Sequence, residues 1–291
     1  MILRPATIAL ILMMPLALTL RPVLAETSEG APSPIATAAS AAQLLGTIKM
    51  SETLEIMRQE GINYGADLDD ELFGGNGGEA WTRAVAQIYD ITRLQTAFEG
   101  ALTQELVRSP DIIAPAQAFF GSEQGQRIVT LEVEARRALL NEAVEEASRV
   151  AAEKLAADRA PLVADLRRFI TAGDLQERNV AGVLTSNLAF YEGIASKGGM
   201  GAEMNRDDVL ALVWAQEADI RTETDAWLMS YLALAYAPLP PGDLEAYINF
   251  WESPAGRVLN AALFAAFDKV FPEISRDLGR AAALQLGGDD I

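Results

Sequence analysis

The chain has 291 residues and a formal net charge of −18, and it contains neither histidine nor cysteine. The missing residue types exclude Ser-His-Asp and Cys-His catalysis, histidine general bases, disulfides and ordinary zinc sites. The negative charge argues against a nucleic-acid partner and against adhesion to an anionic membrane surface. A chain of this length buries enough apolar surface to fold without disulfides or a structural metal.

Residues 1–25 have the pattern of a secretory signal peptide. Arg4 provides a positive start, residues 8–20 form a short apolar core, and Ala25 ends a small-residue cleavage site. The apolar core is shorter than the ~20 residues that a helix needs to cross a bilayer. We therefore expect a periplasmic or secreted protein that begins at Glu26 and keeps no stable membrane anchor. An uncleaved anchor is the alternative.

The remainder predicts helices joined by short connections. Residues 26–37 are rich in Pro, Ser and Ala and are expected to form a disordered linker. Beyond them, apolar residues recur at intervals of three and four, and no stretch shows the alternation of a strand. The predicted fold class is an all-α bundle of roughly ten helices. The expected helices and boundaries include a first helix from residue 38 that closes at 60–62, a loop or weakly ordered helix at 63–79, helices at 81–106 and 123–157, and a last helix from Pro272 to about Leu286.

Similar landmarks recur in the same order in the two parts of the chain. Glu192-Gly193-Ile194 repeats residues 60–62, and Trp214 stands in the place of Trp81 after a second glycine-rich stretch. Repeated landmarks at a constant spacing predict a diverged tandem duplication. We therefore predict two similar helical halves, residues 38–172 and residues 173–291. Chance similarity between alanine-rich helices is the alternative.

A short motif occurs once in each half, where one helix is expected to end and the next to begin. Both copies read aromatic, aromatic, any residue, Ser, two further residues, Gly and a polar residue. The serine suits a helix N-cap, and a proline after it suits the first helical position. The glycine lowers helix propensity, which suggests close approach by another helix. We interpret the motif as a structural corner made by Phe119, Phe120, Ser122 and Gly125 and by Phe250, Trp251, Ser253, Pro254 and Gly256.

The second copy of the motif resembles the signature of a known family. Phe250-Trp251-x-Ser253-Pro254-x-Gly256 is similar to the pattern of the domain of unknown function 2059 family, most closely over residues 240–286. The first copy departs from that pattern, because Glu123 replaces the proline and Phe120 the tryptophan. The resemblance implies an exported helical protein without a cofactor. It implies no activity and no catalytic residues.

Two loop features suggest ligand binding and also have simpler explanations. The acidic run at residues 67–71 provides oxygen ligands of the kind that Ca²⁺ prefers. Leu72 and Gly78 nevertheless stand where an EF-hand requires glycine and glutamate, so a solvated acidic loop is the favoured interpretation. The glycines of residues 74–78 lack the Gly-Lys-Ser/Thr of a phosphate-binding loop, which favours a flexible connector.

Charged residues interrupt a later apolar helix between Trp214 and Trp227. A carboxylate pair among them would allow acid–base hydrolysis, whereas ordinary i,i+4 ion pairs on a helix surface explain the same spacing. The residues concerned are Glu217, Asp219, Arg221, Glu223 and Asp225.

The sequence favours a non-enzymatic exported protein that acts by binding or interacting with another protein. One alternative is a carrier of an apolar small ligand held between the two halves, and a second is a hydrolase that uses Asp and Glu alone. A large dry pocket lined by Trp81, Trp214 or Trp227 would favour the carrier. Two facing carboxylates in an open cleft would favour the hydrolase, and a closed core with an exposed apolar groove would favour the interaction protein. We expect no cofactor, metal or catalytic site.

Overall fold

The computed structural model describes residues 34–196 and 206–287. These residues form an all-α helical bundle, and neither range contains a β-strand. The α-helices, in chain order, are α1 Pro34–Thr47, α2 Met50–Phe73, α3 Gly78–Ile88, α4 Ile91–Leu106, α5 Ile113–Phe120, α6 Glu123–Ala138, α7 Glu142–Ala157, α8 Pro161–Gly173, α9 Leu175–Ala195, α10 Arg206–Trp214, α11 Glu217–Tyr236, α12 Pro241–Glu252 and α13 Pro254–Gly287. A 3₁₀ turn, Pro110–Ile112, precedes α5.

The first helix boundaries differ from the sequence prediction. α1 begins at Pro34, inside the segment predicted as a linker. α2 continues through Gly61, where a helix end was predicted, and reaches Phe73. Gly61 is tolerated inside the helix because the Tyr89 ring fills the space beside it, at 2.1 Å from where a Cβ would lie. Of the two interpretations of residues 63–79, a loop or a weakly ordered helix, the helix is therefore confirmed as far as Phe73, and the acidic run belongs to α2.

Two helices that were predicted as continuous are each broken by a capping residue. Asp90 separates α3 from α4 and accepts a hydrogen bond from the backbone N–H of Arg93 at 2.9 Å. Asn141 separates α6 from α7 and accepts from the N–H of Ala143 at 3.0 Å. These side chains satisfy amides that a new helix start leaves unpaired, which stabilises the break.

At Pro272, a helix boundary was predicted where the structure has a continuous helix. This residue was predicted to start the last helix, but it lies inside α13, which runs for 34 residues. Proline removes one backbone hydrogen bond from a helix interior. Extensive burial on both sides of Pro272 offsets that loss, since Val270, Phe271 and Ile274 are all buried.

Helix α13 is the centre of the bundle. It packs most extensively against α9 and next against α4. The contact with α9 is close because a Cβ at Gly279 would lie 2.0 Å from the carbonyl oxygen of Phe190. One main hydrophobic core extends from Ala41 to Ala283, so helices from both predicted halves contribute to it. Among the helices described, none has both the length and the apolar composition needed to cross a membrane.

Candidate functional site

The two corner motifs have the same local geometry. The hydroxyl of Ser122 accepts from the N–H of Gly125 at 3.0 Å, and the hydroxyl of Ser253 accepts from the N–H of Gly256 at 3.1 Å. Each glycine lies against the end of the preceding helix: a Cβ at either position would stand 2.2 Å from a backbone oxygen, that of Phe119 or that of Phe250. Close backbone approach is therefore the reason for glycine at both positions.

The corners also pack against each other. The rings of Phe119 and Phe250 stack with centroids 4.5 Å apart and an interplanar angle of 16°. Phe120 and Trp251 are buried behind them, 5.7 Å apart. Pro254 occupies the first position of α13. The structure thus brings the predicted motif residues together as a packed aromatic junction, which fits the interpretation of a structural element.

The tandem duplication stays a prediction. The corners agree, but the two tryptophans that served as matching landmarks lie in different environments. Trp81 is buried and donates from its indole nitrogen to the carbonyl oxygen of Gly65 at 2.7 Å. Trp214 ends α10 and is 64% exposed.

A half-buried carboxyl group that the sequence did not single out lies next to the corner junction. Glu132 of α6 accepts, at one oxygen, hydrogen bonds from the hydroxyls of Tyr236 at 2.6 Å and Tyr247 at 2.8 Å. The Tyr231 hydroxyl donates to its backbone oxygen at 3.2 Å. Burial raises the pKa of Glu132 to about 7, and the two tyrosine hydrogen bonds reduce this rise.

One turn along α6, Arg136 forms an ion pair with Glu60 of α2. The guanidinium makes two hydrogen bonds to the carboxylate, at 2.9 and 2.8 Å, and Arg136 is 5% exposed. Burial opposes the charged form of Arg136, but the attraction of Glu60 outweighs it and the pKa is raised. This pair connects α2 to α6 and fixes the position of the Glu60 carboxylate, which also lines the larger cavity.

Two cavities meet this polar network. The smaller one, about 90 Å³, is bordered by Glu132 and Arg136 together with Met57 and the corner residues Phe120 and Trp251. It has room for a few waters, since one water needs roughly 10–15 Å³ measured in this way. A metabolite would not fit.

The larger cavity is an open cleft of about 480 Å³ on the other side of Glu60. Helix α2, the start of α7, α11 and α13 form its walls, and Tyr89 after α3 contributes a side chain. Its lining residues are Met57, Glu60, Gly61, Asn63, Tyr64, Ala66, Asp67, Tyr89, Leu139, Leu140, Glu142, Glu145, Trp227 and Phe271.

The cleft combines an acidic rim with an apolar floor. Met57 and Phe271 are buried at the floor, and Trp227, whose ring stacks on Tyr231 at 4.9 Å, adds an aromatic wall. Burial, and then the neighbouring carboxylates, raise the pKa of Asp67 and that of Glu145. The carboxylates are therefore close enough to repel one another.

The other sequence candidates lie elsewhere or have structural partners. Asp69 of the acidic run accepts from the N–H of Gly77 at 2.7 Å, and across the described chain no three acidic side chains are grouped so that they could hold a metal ion. Glu217 forms the predicted pair with Arg221 at 2.7 Å. Asp225 pairs with Arg167 of α8 instead of Arg221.

Comparison with known proteins finds no family model, no curated protein and no solved structure that matches this chain. The resemblance of residues 240–286 to the domain of unknown function 2059 family therefore stays a prediction.

Proposed function

We propose that this protein is a non-enzymatic binding protein whose ligand occupies the cleft between α2, α7, α11 and α13. The observation that carries the proposal is the cleft itself. Its volume of about 480 Å³ is in the range of small-molecule sites, which are concave, largely apolar and carry a few polar groups. Trp227, one of the three tryptophans named for the carrier, is in its wall, but the cleft is open and acidic and not the dry pocket expected of a carrier.

The position of the cleft also supports a ligand carrier over a protein-interaction surface. The cleft lies between helices of the first predicted half, such as α2, and helices of the second, such as α11. Large apolar side chains that are exposed in the described chain are few, and they are spread over α7, α10, the two ends of α13 and the residue after α4. They are Val107, Val150, Trp214, Val258 and Leu286.

A cleft-blocking variant tests the proposal. Ala66 is exposed on α2 and lines the cleft, so Ala66→Trp fills the cavity without disturbing the core. We expect the unmodified protein to retain a small molecule from an extract of its own cells, detected unchanged by native mass spectrometry, and Ala66→Trp to lose it. Ala156→Trp, at an exposed position of α7 outside the cleft, serves as the matched control. Equal retention by both variants would place the ligand elsewhere, and release of a chemically altered molecule would indicate an enzyme.

Export to the periplasm is part of the same proposal, supported by the pattern of residues 1–25, which lie outside the described part of the chain. We expect cleavage after Ala25, so intact-mass analysis of the protein from a periplasmic extract should give a chain that begins at Glu26. Full-length chain in the membrane fraction would contradict this expectation.

A further inference from the structure

We propose that the ligand of the cleft is a small organic cation, with an amine or quaternary ammonium group at the acidic rim and an aliphatic or aromatic body on the floor. This inference rests on the proposed function and specifies the class of molecule that binds.

The described residues that line the cleft carry a negative charge. They include four carboxylates and no lysine or arginine. Arg136 neutralises Glu60 from the side of the small cavity. The other three, Asp67, Glu142 and Glu145, have no ion-pair partner within the residues that the structure describes. Three uncompensated negative charges around one cavity attract cations and repel anions.

The cleft also contains a polar group without a protein partner. Tyr89 is only 2% exposed and lines the cleft, and within the described ranges its hydroxyl makes no hydrogen bond to protein. The hydroxyl oxygen is not sealed from solvent, so water or a ligand in the cleft can pair with it. Burial raises the pKa of Tyr89, so the hydroxyl stays neutral and is able to accept a hydrogen bond from an ammonium group.

The size and lining of the cleft favour an organic cation over a metal ion. The described acidic side chains do not form a group of three that could coordinate a metal. The cleft is far larger than an ion needs, and much of its surface is apolar, with Trp227 and Phe271 contributing rings. Aromatic rings attract ammonium groups through their negative faces, and apolar surface binds a hydrocarbon body.

The test uses the full mature chain and a panel of probes with matched carbon skeletons. Phenethylamine, phenethyl alcohol and phenylacetate differ mainly in charge, and pairs such as an alkyltrimethylammonium and the corresponding alcohol extend the panel. Calcium chloride provides the metal arm. Binding is measured by isothermal titration calorimetry at low and at high salt, alongside native mass spectrometry of the molecule retained from cell extract.

We expect the cations to bind more tightly than their neutral and anionic counterparts, and the preference to weaken as salt screens the carboxylates. Glu145→Gln should weaken cation binding by about fivefold, which is the size of one partly exposed charge interaction. Glu153→Gln removes the same charge from an exposed position of α7 outside the cleft and should leave binding unchanged.

The outcomes separate this inference from the proposed function. If a neutral or anionic molecule is retained and Ala66→Trp abolishes its binding, the cleft is a ligand site but its ligand is not a cation. If calcium binds with the same dependence on Glu145, the site is a metal site. If a basic peptide displaces every small cation, the partner is a protein segment. If no panel cation binds and the extract yields no retained molecule, both proposals fail.

Discussion

Gly256→Leu is expected to lower the free energy of unfolding by roughly 1–3 kcal/mol, near the upper end of that range for overpacking. A Cβ at this position would lie 2.2 Å from the carbonyl oxygen of Phe250 and 2.8 Å from the Cα of Trp251. Both atoms belong to the backbone of α12, so relief requires the corner to open rather than a side chain to rotate. Urea unfolding followed by circular dichroism measures the loss.

The matched control for this substitution is another helical glycine. Gly100 of α4 is exposed and has no atom within 4 Å of its Cβ position, so Gly100→Ala should stabilise the protein by up to ~1 kcal/mol through helix propensity. Ser253→Ala, which removes only the cap, should cost about 1 kcal/mol. If Gly256→Leu raises the urea midpoint, the prediction of close backbone packing at the corner is wrong. If the midpoint rises and ligand binding is also lost, the corner is a binding site.

The second large effect concerns Glu132 and the pH. Burial raises the pKa of its carboxyl to about 7 in the folded protein, from 4.5 for a free glutamate side chain. The folded state therefore holds a proton that the unfolded chain releases between these values, and stability falls as the pH rises through this window. The resulting loss in the free energy of unfolding is on the order of 3 kcal/mol, and it is complete above about pH 7.

Glu132→Gln isolates this effect. The amide oxygen can still accept from Tyr236 and Tyr247, but the side chain no longer ionises. We expect the variant to gain stability over the unmodified protein between about pH 5 and about pH 8, by on the order of 3 kcal/mol. The charged groups nearby, Arg136 and Glu60, are common to both proteins and cancel in the comparison. Glu134→Gln, at an exposed position of α6, is the control. If the free energy of unfolding depends on pH in the same way for Glu132→Gln and for the unmodified protein, ionisation of Glu132 does not destabilise the fold and the prediction is wrong.

Sequence features predicted the structure well where the interaction joins residues that are close in the chain. The caps at Ser122 and Ser253 follow from a hydroxyl three residues before an amide. Helix continuity was harder to predict. Gly61 and Pro272 each reduce the stability of a helix interior, and packing against residues distant in sequence offsets that loss. At Gly61, for example, the ring of Tyr89, which lies between α3 and α4, packs where a side chain would otherwise stand.

The candidate site could not be predicted from the sequence, because its members become neighbours only through packing. Asp67, Glu142 and Glu145 have the same sequence character as the solvated acidic residues of any helix. Nothing near Tyr89 in the sequence indicates that its hydroxyl lies unpaired in a cleft. The acidic run at residues 67–71 is visible in the sequence, but its composition favours a solvated acidic loop, whereas these residues lie in helix α2.

The sequence by itself determined the all-α class and the two capped corners, since helical periodicity and capping depend on residues within one or two turns. It also excluded chemistry that needs histidine or cysteine. Only the tertiary structure decided that the corners stack on each other, that Glu132 lies among three tyrosines, and that an acidic cleft forms between α2 and α7. Those features depend on which helix faces meet, and that is set by the packing of the whole core rather than by any one segment.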